Sequence, residues 1–127
     1  MKKLLIVEDE PLLRKMYEEK LSKLDVVILS AENSREGFVI TKKEKPDLVL
    51  LDMLLQEGDG IEMMEKVRLD NEIKETKFLA FSNFNEPSMK EKAMSLGAID
   101  YLLKTDYTPN QIANIIQNIL KYDPHSN

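Results

Sequence analysis

Leu48-Val49-Leu50-Leu51-Asp52 is four apolar residues closed by a carboxylate, and three other stretches of the chain repeat its plan. Leu4 to Val7 runs into Glu8-Asp9, Phe78 to Phe81 into Ser82, and Tyr101 to Leu103 into Lys104. Short apolar runs separated by helical patterns read as buried parallel strands. Polar residues that close parallel strands emerge at one edge of one sheet, so these groups are expected to form a single site.

Counting a further run at Val26, the apolar runs start at residues 4, 26, 48, 78 and 101. Each interval has room for a helix and two turns. The first helix shows Leu13, Met16, Leu21 and Leu24 on one side, with Pro11 in its first turn, where a proline is tolerated. The second begins near Asn33-Ser34, shows Phe38 with Ile40 or Thr41, and is stopped by Pro46. The third runs from Asp59-Gly60 through Ile61, Met64 and Val67. The fourth opens at Pro87, carries Met89, Ala93 and Leu96, and ends at Gly97, a good C-terminal cap. The fifth has Thr108 and Pro109 as cap and first turn, then Ile112, Ile115, Ile116, Ile119 and Leu120 at helical spacing.

Strict alternation of strand and helix implies an α/β fold with a doubly wound sheet and right-handed crossovers. Such sheets bind ligands outside the carboxyl ends of the strands, where the strand order reverses. With five parallel strands in the order 2-1-3-4-5 and five flanking helices, the reversal lies between the strands ending at Glu8-Asp9 and at Asp52. A chain of 127 residues, 43% apolar and 32% charged, suits one domain, expected over residues 1–122, with a frayed tail at 123–127. A formal charge of -5 supplies no broad basic field, so neither direct nucleic-acid binding nor binding to an anionic membrane is expected. The chain has no cysteine, no run of membrane-spanning length, and an N-terminal apolar stretch too short for a signal peptide, so the expected location is cytoplasmic.

Three carboxylates crowded at the switch point raise each other's pKa unless a cation neutralises them. Hard oxygen ligands without His or Cys point to magnesium rather than zinc. A carboxylate beside magnesium can attack phosphorus and become an aspartyl phosphate. Asp52 is the natural nucleophile, because it stands alone at the end of the most continuous apolar strand, whereas Glu8 and Asp9 are better placed to hold the metal. Lys104 neutralises one phosphoryl oxygen in this scheme, and the Ser82 hydroxyl hydrogen-bonds another.

Taken together, these pieces resemble a response-regulator receiver domain, the flavodoxin-like phosphoacceptor of two-component signal transduction, from end to end. The match rests on Glu8-Asp9, Asp52, Asp59-Gly60, Ser82, Gly97-Ala98 and Tyr101 with Lys104, in that order and spacing. The resemblance implies a phosphoryl group taken onto Asp52 from a sensor histidine kinase or histidine phosphotransfer protein. It implies magnesium held by Asp9, Asp52 and the backbone carbonyl of Leu54, with Glu8 acting through water. It also implies a switch in which Ser82 moves toward the phosphoryl group and Tyr101 turns inward, reshaping the face built from the fourth helix, fifth strand and fifth helix. Self-phosphorylation and slow dephosphorylation are its only chemistry, so the chain is read as a signalling protein and not an enzyme. The downstream protein target, the kinase and the oligomeric state stay open, as does whether the chain is a stand-alone relay or a fragment of a larger regulator.

The chain departs from the family pattern at four places. Gln56 replaces the usual proline four residues after Asp52, which loosens the loop. Asn83 replaces a small residue after Ser82 and narrows access to the site. Thr105 replaces the proline after Lys104, and a cis Lys104-Thr105 bond costs about 3 kcal/mol more than trans. Leu54 and Phe84 place apolar side chains beside the reacting groups, where they modulate the lifetime of the phosphorylated form.

Each residue also has a plainer reading. Glu8, Asp9 or Asp52 alone suits a helix cap, Lys104 a solvated surface lysine, Ser82 a turn, and Tyr101 an edge-strand core residue. The joint pattern outweighs these. Of the rivals, a haloacid-dehalogenase-type phosphatase needs a second aspartate where this chain has Leu54. An FMN carrier needs a phosphate-cradling first loop, which Glu8-Asp9-Glu10-Pro11 repels. A receiver-like adaptor that works without phosphorylation is the main alternative. The only histidine, His125, lies in the polar tail, so the phosphodonor histidine belongs to a partner.

Overall fold

The computed structural model describes residues 1–55 and 59–121. Five strands, β1 (Lys2–Val7), β2 (Val26–Ala31), β3 (Leu48–Asp52), β4 (Phe78–Ser82) and β5 (Asp100–Leu103), alternate with five helices. These are α1 (Pro11–Leu21), α2 (Ser34–Glu44), α3 (Gly60–Arg68), α4 (Pro87–Ser95) and α5 (Pro109–Lys121). All pairings are parallel and the sheet order is β2-β1-β3-β4-β5. The expected fold class and strand order are both present.

The sheet divides two apolar layers, because alternate residues of each strand face opposite sides. Leu5, Val7, Val49, Leu51, Phe78 and Ala80 pack with α3 and α4 residues such as Met64, Val67 and Ala93. Leu4, Ile6, Leu48, Leu50, Leu79 and Phe81 pack with Tyr17 and Leu21 of α1 and Ile112 and Ile116 of α5. Every residue of β3 and β4 is buried, as the unbroken apolar runs require.

Helix ends follow the capping chemistry read from the sequence. Asn33 accepts from the Glu36 N–H at 2.8 Å and Asp59 from the Glu62 N–H at 2.9 Å. Thr108 and Gln111 form a reciprocal capping box, Thr108 Oγ1 accepting from Gln111 N at 3.2 Å and Gln111 Oε1 from Thr108 N at 2.8 Å. Gly97, just beyond α4, has φ of +89°, a left-handed conformation open to glycine at little cost.

Some boundaries shift. α1 stops at Leu21, so Leu24 packs from the following turn, and the helix buries Tyr17 where Leu13 and Met16 are only half-covered. In α2 it is Thr41 that is buried, its hydroxyl donating to the Gly37 carbonyl at 2.7 Å. β1 begins at Lys2 and β5 at Asp100, because polar residues at a sheet margin still complete the ladder. The expected looseness at Gln56 and the expected frayed tail fall outside the described residues. The described residues include no cis peptide bond, so Lys104-Thr105 is trans, the isomer favoured when proline is absent. None of their helices is long and apolar enough to cross a membrane.

Candidate functional site

Register sets the site. Val7 of β1 lies opposite Leu51 of β3, so the next residues, Glu8 and Asp52, stand side by side at the point where strand order reverses. The ladder continues past the strand ends. Glu8 N donates to Ala31 O at 3.0 Å, Met53 N to Phe81 O at 3.0 Å, and Lys104 N to Ser82 O at 2.8 Å. Each polar side chain is thus carried by backbone that the sheet holds in place.

One oxygen from each of Glu8, Asp9 and Asp52 lies within 4.8 Å of the others. Glu8 and Asp52 are buried and Asp9 is half-buried. Lys104 reaches in from β5 and places its ammonium 2.6 Å from Glu8 Oε1 and 3.1 Å from Asp52 Oδ2. Its side chain is 6% exposed, so the plain reading as a solvated lysine does not hold. The remaining carboxylate oxygens take backbone donors: Asp52 Oδ1 accepts from Leu54 N at 3.0 Å, and Glu8 Oε2 from Glu10 N at 3.2 Å. Arg14 of α1 donates to the Glu8 carbonyl at 2.9 Å and ties the acidic turn to the helix that follows it.

Lys104 bridges two of these carboxylates, and the balance shows in Glu8. Burial pushes its carboxyl up to about 7; the Lys104 hydrogen bond pulls against that, and the Asp52 charge adds to the rise. Tyr17 of α1 feels the same field. Its phenol is pushed up to about 12, first by burial and then by the charges of Glu8 and Asp52. Sequence reading did not connect Tyr17 with the site, and its helical spacing next to Met16 carries no signal that would have done so.

Ser82 is fully buried, and its Oγ accepts from Phe84 N at 3.2 Å. Tyr101 is also buried, in the layer facing α3 and α4, and its hydroxyl has no hydrogen-bond partner among the described residues. Its ring packs in the core layer with Phe78, Ala80 and Ala98. Of the apolar residues flanking the reacting groups, Leu54 is 37% and Phe84 62% exposed, and Asn83 is exposed as well. Between α4, β5 and the turn before α5, a polar hollow of about 280 Å³ is lined by Asn85, Lys90, Asp100, Asp106 and Tyr107 together with Tyr101.

Comparison with known proteins agrees with this geometry. The profile of the response regulator receiver domain matches residues 4–117. The phosphate regulon transcriptional regulatory protein PhoB of Pseudomonas aeruginosa is 28% identical over 120 residues, covering 94% of this chain and 52% of that protein. The protein described as "Probable transcriptional regulator ycf27" of Porphyridium aerugineum is 28% identical over 119 residues, covering 94% and 48%. The chain spans about half the length of the curated relatives it matches. Among solved structures, the signal receiver domain of NarL from Mycobacterium tuberculosis is similar with a TM-score of 0.83 at 28% identity, over 96% of this chain and 98% of that one. The chemotaxis response regulator CheY4 of Vibrio cholerae shares the fold, with a TM-score of 0.83 at 24% identity over 94% and 98%. With its profile match covering most of the chain, its strand order and its strand-end acids in agreement, the chain belongs to the response regulator receiver domain family of two-component systems.

Proposed function

We propose that the chain is a phosphoacceptor that takes a phosphoryl group onto Asp52 from a phosphohistidine of a sensor histidine kinase or a histidine phosphotransfer protein. The observation that carries this reading is the Lys104 bridge: a buried lysine just beyond β5 meets a buried aspartate on β3 beside two further acids. In the transfer, an Asp52 oxygen forms a bond to phosphorus as the bond from phosphorus to the imidazole nitrogen breaks, and the leaving nitrogen takes up a proton. Lys104 exchanges its Asp52 contact for a phosphoryl oxygen. The Ser82 hydroxyl, now an acceptor for Phe84 N, turns to donate to another phosphoryl oxygen.

The donor set fits magnesium. It is all oxygen, it converges within 4.8 Å, and burial leaves Glu8 short of compensating positive charge. Asp9, Asp52 and the Leu54 carbonyl are assigned as ligands, with Glu8 acting through water. A magnesium ion there supplies charge neutralisation for the phosphoryl oxygens. Signalling then passes to the α4, β5 and α5 face through Ser82.

One observation favours a second reading, a receiver-like adaptor that docks its partner without phosphorylation: Asn83, where the family carries a small residue, stands exposed beside Ser82. Mass spectrometry after incubation with acetyl phosphate and magnesium separates the two. A labile phosphoryl adduct on Asp52 supports the phosphoacceptor, and an unmodified chain supports the adaptor.

A further inference from the structure

Lys104 and Asp52 are not on neighbouring strands. The aspartate closes β3, the lysine follows β5, and β4 lies between them. Asp52 is in register with Phe81, and Phe81 with Leu102. Lys104 is two residues past Leu102 and so rises on the same face of the sheet, one rung higher. To reach Asp52 its side chain crosses β4, and what it crosses is the ring of Phe81. The ammonium stands 4.6 Å from the centroid of that ring, within the range where the negative face of an aromatic attracts a cation. The ring is itself held: Tyr17 of α1 meets it edge-on, with centroids 5.5 Å apart and planes at 84°. Phe81 is wholly buried, so water does not compete for the ammonium on that side.

We propose that Phe81 is a positioning residue for Lys104, a floor across which the ammonium travels from the Asp52 carboxylate to a phosphoryl oxygen. The inference takes its functional consequence from the phosphoacceptor reading above. A carboxylate or carbonyl floor would hold the ammonium by a directed hydrogen bond and resist its movement. An aromatic face attracts the charge without fixing any N–H direction, so the cation stays desolvated and in line while its hydrogen bonds are exchanged. Tyr17 serves the same end by fixing the tilt of the ring.

The test replaces Phe81 by phenylalanines carrying one, two or three ring fluorines, which keep the shape of the ring while progressively draining its face of negative charge, together with Phe81→Leu. Two quantities are read: the ring-current shift of the Lys104 ε-methylene protons by NMR, without phosphodonor, and the rate of labelling by acetyl phosphate at saturating magnesium. In the parent, the methylene protons are expected upfield of an ordinary lysine. They return to ordinary positions in Phe81→Leu, where labelling slows about tenfold. Along the fluorinated series the labelling rate falls stepwise while the thermal midpoint holds, a trend that a space-filling role does not produce. A labelling rate that is flat along the series overturns the proposal, as do Lys104 methylene protons at ordinary positions in the parent. If the parent itself takes no phosphoryl group, the phosphoacceptor reading fails, and the Lys104 resonance alone decides whether Phe81 holds the ammonium.

Discussion

The ammonium of Lys104 lies closer to Glu8, at 2.6 Å, than to Asp52, at 3.1 Å, although Asp52 is the assigned nucleophile. Glu8 is thus the nearer partner of the lysine, and the longer contact is the one that the proposed phosphoryl transfer would break. Burial raises the Glu8 carboxyl despite the lysine beside it, and that has a measurable consequence in the absence of metal.

Without metal, stability is expected to fall as pH rises from about 4.5 to about 7. The unfolded chain releases the Glu8 proton near the ordinary 4.5, whereas the folded chain keeps it to about 7. Between those values the folded state binds more protons, so each step up in pH favours unfolding. The full effect is on the order of 3 kcal/mol. Asp70 works in the opposite sense, because the Lys42 hydrogen bond holds its carboxyl below the usual range, but it acts below this window. Denaturant midpoints in chelator at several pH values provide the measurement, and Glu8→Gln should flatten the slope. A midpoint that climbs between pH 4.5 and 7 contradicts the assignment, and saturating magnesium should abolish the decline by neutralising the same charges.

Asp52→Asn is expected to abolish labelling, since a neutral amide does not attack phosphorus. The fold should survive, with stability in chelator within about 1 kcal/mol of the parent, because the substitution is nearly isosteric and Lys104 keeps Glu8. The stabilisation by magnesium should shrink. Full labelling of this variant would move the phosphoacceptor role to another carboxylate.

Much of this site is legible in the sequence because each reacting group closes an unbroken apolar run. Uninterrupted burial on both faces makes β3 and β4 visible, and the polar residue that ends each one marks the carboxyl edge of the sheet. Tyr17 and Phe81 are not legible in that way. An apolar residue within an apolar pattern looks the same whether or not a cation crosses it, and only the register of three strands places Phe81 between Asp52 and Lys104. Leu24 misleads for a related reason, since it continues a helical spacing beyond the residue where α1 stops. The position of Tyr101 depends on how tightly its ring packs between layers, which no spacing encodes.

Tyr101→Phe is expected to leave stability unchanged or to raise it by about 1 kcal/mol. Its hydroxyl is buried without a partner among the described residues, and such a group costs about 1–3 kcal/mol to bury. If the hydroxyl instead gains a partner when Ser82 turns to the phosphoryl group, the variant should label normally but lose partner affinity in the phosphorylated state. A drop of more than about 1 kcal/mol in the unphosphorylated protein would mean that the hydroxyl already has a partner. Crystals with a beryllofluoride phosphate mimic should show Ser82 Oγ turned from Phe84 N and the Tyr101 ring still inside.

The phosphorylated form is expected to be long-lived for a receiver. Hydrolysis needs a water in line with the bond between Asp52 and phosphorus, and the side chains beside that approach are Leu54, whose N–H binds Asp52, and Phe84, whose N–H binds Ser82. Each follows its site residue by two positions; the Leu54 N–H holds Asp52 Oδ1 at 3.0 Å, whereas Phe84 loses its tie to Ser82 once that hydroxyl turns to the phosphoryl group. Neither side chain can hydrogen-bond a water and orient it for attack. They contribute unequally to shielding: Leu54 is 37% exposed and leans on the protein, whereas Phe84, at 62%, stands largely in solvent. Leu54→Asn should therefore shorten the lifetime more than Phe84→Ala, and the double variant should lose phosphate about tenfold faster than the parent, a loss typical of one positioned water. Timing phosphate release from the four proteins decides it, and a double variant no faster than the parent shows that these side chains do not guard the bond.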